Sequence, residues 1–116
     1  MKRKIPENIS SALTEFTRGV QEIFGNRAKK VILYGSYARG DFNKHSDIDL
    51  IVLTDIPNEE MGEYKNKIWD YAYDIDLNYD IILSVLVKNI DSFNKWLDFS
   101  SFYINVQKDG VVLNES

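Results

Sequence analysis

The 116-residue chain contains no cysteine. Disulfides, thiol catalysis and cysteine-ligated zinc or iron–sulfur centres are thereby excluded. Long apolar runs are also missing. Ile81 to Val87, interrupted by Ser84, and Leu50 to Leu53 fall far short of the roughly 20 residues that a membrane helix needs. Met1-Lys2-Arg3-Lys4 is basic, but the polar residues that follow do not make a secretory leader. A cytoplasmic protein is the expectation, with no membrane partner. A basic stripe is absent as well: 14 Lys+Arg are scattered among 18 Asp+Glu, for a formal charge of −4. Proteins that track a nucleic-acid backbone carry such a stripe, so long nucleic acid is not expected as a partner. A small anion arriving with its own Mg²⁺ is compatible, because the metal offsets local repulsion. With no internal repeat and no linker rich in Gly, Pro or Ser, residues 1–116 read as one domain.

What is present can form a core, since 44% of residues are hydrophobic and 13% aromatic. Pro6 suits a helix start, and Ile9, Leu13, Phe16, Val20 and Ile23 recur at helical spacing up to a stop at Gly25. Lys30 to Tyr34 and Ile48 to Leu53 are nearly continuous apolar runs and predict buried strands. A short helical turn is expected over Ser36 to Arg39 and a long helix from Glu59 to about Ile75. A third strand is expected from Tyr79 to Val87, mostly helical chain from Phe93 to Val106, and a last strand over Val111 to Leu113. This order predicts an α/β (α+β) domain: a small mixed sheet with helices packed mainly on one face.

Two segments carry chemistry. In Tyr34-Gly35-Ser36-Tyr37-Ala38-Arg39-Gly40-Asp41 a strand ends in Gly-Ser and a helical turn follows. Gly35 lets a phosphate approach the backbone, the free N–H groups of the turn can receive it, and the Ser36 hydroxyl adds a donor. In Ser46-Asp47-Ile48-Asp49-Leu50 the two aspartates, at i and i+2, project to one face at the mouth of a core strand. Such a pair repels itself unless a cation lies between, and oxygen-only donors beside phosphate suit Mg²⁺ or Mn²⁺. Either segment alone is commonplace. Arg39 reads equally as a phosphate contact or as an ion-pair partner of Asp41 or Asp47. Ser46 reads as a residue that caps the loop and orients Asp47, and His45 as solvated.

Gly35-Ser36, ten further residues, then Asp47-Ile48-Asp49 resembles the signature of the DNA polymerase β-like nucleotidyltransferase superfamily. The fuller string Gly-Ser-Tyr-Ala-Arg-Gly-Asp…Ser-Asp-Ile-Asp-Leu is similar to its minimal branch, found in toxin–antitoxin pairs. The resemblance implies a nucleotidyltransferase fold and a third carboxylate on a later strand. Asp80 matches that position best, with Asp74 and Asp76 as competitors. It further implies two-metal transfer of AMP from ATP, with release of pyrophosphate. Asp47 and Asp49 would bridge the metals, Asp80 would bind the second and help remove the acceptor proton, and Gly35, Ser36 and Arg39 would hold the nucleotide. Similar minimal proteins are antitoxins that adenylylate a tyrosine of a HEPN toxin, which makes AMPylation of such a partner, within a homo- or hetero-oligomer, the leading functional expectation. A binding-only antitoxin and a small-molecule (antibiotic) adenylyltransferase are the alternatives. The aromatics from Trp96 to Tyr103 suit either protein contact or core packing.

Overall fold

The computed structural model describes residues 3–115; Met1, Lys2 and Ser116 lie outside them. Helix α1 runs Glu7–Phe24, then strand β1 spans Ala28–Tyr34 and the single turn α2 spans Ser36–Arg39. Strand β2 covers Ile48–Thr54, helix α3 Gly62–Tyr79 and strand β3 Leu83–Asn89. Two shorter helices, α4 (Ile90–Trp96) and α5 (Ser101–Asp109), precede strand β4 (Val111–Glu115). Among the described residues no helix is long and apolar enough to cross a membrane.

The four strands form one sheet in the order β3-β2-β1-β4. β1 pairs antiparallel with both β2 and β4, whereas β2 and β3 are parallel. The helical crossover α3 is what allows that parallel pair. Alternation along β2 divides its side chains between two layers. Ile48, Leu50 and Val52 join a core with Phe16 and Val20 of α1 and Ile68, Ala72 and Ile75 of α3. Ile51 and Leu53 point the other way, onto Phe93 of α4 and Val106 of α5. The two long helices thus cover one face, as expected, and the two short ones add a smaller layer on the other. Gly19 permits the close approach of α1 to α3, because a Cβ there would strike the Tyr71 ring. The Tyr71 hydroxyl donates to the Glu15 carbonyl across the same contact, at 3.1 Å. At the outer edge of the sheet, Trp69 Nε1 of α3 donates to the Val85 carbonyl of β3, at 3.0 Å.

Two boundaries depart from the sequence reading. The second long helix occupies 62–79 instead of 59–75, because Asn58–Glu60 forms a separate 3₁₀ turn and no Gly or Pro stops the helix near Ile75. The third strand consequently begins at Leu83, where Tyr79 was expected. Asp80, expected to open that strand, instead ends α3 in the left-handed region, with φ 55°. Asp tolerates that conformation better than most residues do.

Candidate active site

The two halves of the motif meet because β1 and β2 are antiparallel neighbours in which Tyr34 lies opposite Asp49. The chain leaves β1 at Gly35, turns through α2 and the 41–47 loop, and re-enters the sheet at Ile48. The ten residues between Ser36 and Asp47 are this connection. Gly35 has φ 75°, and a Cβ there would collide with the Asp49 carboxylate. Glycine is therefore required twice over, by backbone conformation and by the close approach of a side chain. The loop is fixed on its inner side by Phe42, whose ring stacks on Tyr37 at 4.2 Å. The Asn43 N–H donates to Ser46 Oγ at 2.9 Å, and the His45 N–H donates to Asn43 Oδ1 at 2.7 Å. Ser46 thus shapes the loop that presents Asp47, while His45 is exposed.

Asp47 is exposed and Asp49 half-buried at the mouth of the sheet. Burial holds the Asp49 carboxyl above its usual range, the Asp47 charge pushes it further up, and Arg39 pulls it back. Tyr34 is pushed up to about 12, first by burial and then by Asp49. Two carboxylates thus stand close together, the condition a cation would relieve. Of the readings considered for Arg39, the ion pair is with Asp41: its Nε donates to Asp41 Oδ2 at 3.1 Å on the surface, and the residue also borders the cleft.

These residues line one wall of a cleft of about 500 Å³. Its opposite wall is α5, through Phe102, Asn105, Val106 and Asp109. Sequence reasoning missed this wall. The signal was available: these four residues are spaced i, i+3, i+4, i+7, one helix face. Of the Trp96–Tyr103 aromatics, Tyr103 packs against the buried Phe93 at 4.7 Å, whereas Phe99 is 80% and Phe102 42% exposed.

Asp80 is not brought to Asp47 and Asp49; it is exposed at the end of α3 and does not line the cleft. The parallel register sets Ile48 opposite Leu83 and Asp49 opposite Ser84, which puts Ile82 beside Asp47. Ile82, just before β3, and Ser84 on it therefore occupy the places from which a third carboxylate would face the pair. Asp76 lies nearby on α3, but its Oδ1 accepts from the Leu83 N–H at 2.8 Å. Among the described residues no three acidic or histidine side chains are grouped to hold a metal ion. Asp47, just before β2, and Asp49 on it fit one divalent ion through oxygen donors, with Arg39 offsetting their repulsion only in part.

The family model of the nucleotidyltransferase domain matches residues 13–113, nearly the whole chain. The chain belongs to this nucleotidyltransferase family. As such it is a nucleotidyltransferase enzyme. It is 34% identical over 112 residues to "Putative protein adenylyltransferase MJ0604" of Methanocaldococcus jannaschii, an alignment covering 91% of the chain and 98% of that relative. Two solved structures share the nucleotidyltransferase's fold at low identity. One is a mutant of the toxin–antitoxin MntA-HpeT, with TM-score 0.58 and 17% identity. The other is a toxin–antitoxin with AMP-PNP, with TM-score 0.57 and 18% identity. Each match covers 90% of this chain and 73% of the other.

Proposed function

We propose that this nucleotidyltransferase transfers AMP from ATP to a protein hydroxyl, and that the acceptor is a tyrosine of a partner toxin of the HEPN class. The observation that supports the transfer chemistry is the junction at Gly35, where the turn after β1 comes up against the carboxylate of Asp49. The name of the M. jannaschii relative supports a protein acceptor, and the fold shared with the toxin–antitoxin structures supports a toxin.

Gly35 and Ser36 receive the triphosphate on backbone N–H groups and the Ser36 hydroxyl, with Arg39 close enough to neutralise part of its charge. Asp47 and Asp49 would hold a Mg²⁺ (or Mn²⁺) ion, which when bound offsets charge on the reacting phosphate. A second ion would need a further ligand, and Asp80 is not placed to supply it. The acceptor oxygen attacks the α-phosphorus and the bond to the β-phosphate oxygen breaks. Pyrophosphate departs, the hydroxyl proton is released, and AMP remains on the acceptor. The neighbouring carboxylates of Asp47 and Asp49 disfavour an anion that arrives without a metal, which favours the metal complex of the nucleotide.

Incubation with α-labelled ATP, Mg²⁺ and the product of the adjacent gene tests this reading. Label is expected on the partner and is expected to vanish with Asp47→Asn. A partner neutralised equally by wild type and variant, with no label on it, would instead establish a contact antitoxin.

A further inference from the structure

The catalytic reading accounts for one wall of the cleft and leaves the other without a role. We propose that the cleft face of α5 is a nucleoside-recognition wall, selective for an adenine nucleotide, a reading that rests on the nucleotide-transfer function above. Phe102 would stack the base, Asn105 would read its edge, and Asp109 would accept hydrogen bonds from the ribose hydroxyls.

The wall is rigidly placed. Val106, on the same face, is 1% exposed and anchors α5 in the smaller core with Ile32, Ile51 and Phe93. Ser100 caps the helix, its Oγ accepting from the Tyr103 N–H at 3.2 Å. Phe102 meets Tyr34 at right angles, with ring centroids 5.5 Å apart, yet stays 42% exposed. A phenyl ring braced by a neighbour and open to a polar cleft presents a face on which a base can stack.

The chemistry of the two walls differs in a way that orients the ligand. Gly35, Ser36 and Arg39 suit phosphate, whereas a carboxylate at Asp109 repels it and prefers neutral donors. Ribose offers two hydroxyl donors. Asn105 lies one helical turn from Asp109 towards Phe102, so base, base edge and sugar follow one another along the helix. An amide presents a donor and an acceptor together, the pattern that matches the amino group and ring nitrogen of adenine. A volume of about 500 Å³ is in the range of nucleotide-sized pockets.

Calorimetric titration of the full chain with Mg·ATP, Mg·GTP, Mg·2′,3′-dideoxy-ATP and Mg·tripolyphosphate separates the two walls. Phe102→Ala is expected to weaken ATP by about 5-fold or more, the scale of one lost stacking contact, and to leave tripolyphosphate unchanged. Asn105→Ala should erase the preference of ATP over GTP. Asp109→Asn should weaken ATP while leaving the dideoxy analogue as it was. Melting curves of each variant confirm folding, and Phe102→Trp should retain ATP binding where Phe102→Ala loses it. Equal weakening of ATP and tripolyphosphate, or variants that bind every ligand as the wild type does, would overturn the wall. Wild-type protein that binds tripolyphosphate as tightly as ATP overturns it too. A wild type that binds none of these ligands would sink the nucleotide-transfer reading itself, and this inference with it.

Discussion

At the scale of single residues, Asp49 is where function and stability conflict. Its carboxyl is held above its ordinary range by burial and by Asp47, so the folded chain binds that proton more tightly than the unfolded chain does. The stability linked to this group is complete below the unfolded carboxylate value and is lost as pH rises through the folded value. Without metal, Asp49→Asn should therefore melt higher than wild type at neutral pH, with the gap closing as pH falls through the acidic range. Melting curves in EDTA across pH check this. Nucleotide transfer by the same variant should fall by about 100-fold or more, the scale of losing one group that manages charge in the transition state. A variant that melts lower at every pH would show that the Asp49 charge is already satisfied. That Gly35, Ser36, Asp47 and Asp49 meet in one cleft was legible in the sequence, because each has a local reason for its identity. Gly35 even has a second reason, the neighbouring carboxylate, that only the folded chain reveals.

At the scale of elements, the register between β2 and β3 decides what faces the aspartate pair. Ile82, beside Asp47, is 60% exposed, so a substitution there disturbs little of the core. Ile82→Asp should supply the missing third carboxylate. Its melting temperature should drop in EDTA, from added repulsion, and rise on adding Mg²⁺ by more than the wild type's does. An equal Mg²⁺ response in both proteins would place Ile82 outside the metal's reach. The sequence pointed to Asp80 here because an apolar run, Ile81 to Val87, looks like a strand from its first residue. What it conceals is that α3 continues to Tyr79 and that Asp80 and Ile81 are spent on turning the chain. The 93–106 region reads as mostly helical in the sequence, but its division into α4 and α5, and the place of α5 as a cleft wall, depend on tertiary packing. Val106 meets Ile32 and Ile51 from distant strands, a contact that local periodicity does not contain.

At the scale of the whole molecule, the order of elements and the mixed sheet followed from alternating apolar runs and helical stripes, whereas strand order did not. β1 sits between β2 and β4 because the last strand returns to pair with the first, a long-range choice. The result is an open sheet with β3 at one border. An open border is an invitation, since outward-pointing carbonyls can accept a strand from any neighbouring chain. The Trp69 indole spans this border and occupies the Val85 carbonyl. Removing it by Trp69→Ala should leave the active-site cleft intact and yet shift the protein to larger species as concentration rises. Light scattering of both proteins over a concentration series would detect this, and matching sizes throughout would refute it. A hydrogen bond closed within one chain would then also govern how many chains can share a sheet, making Trp69 a guard of colloidal solubility.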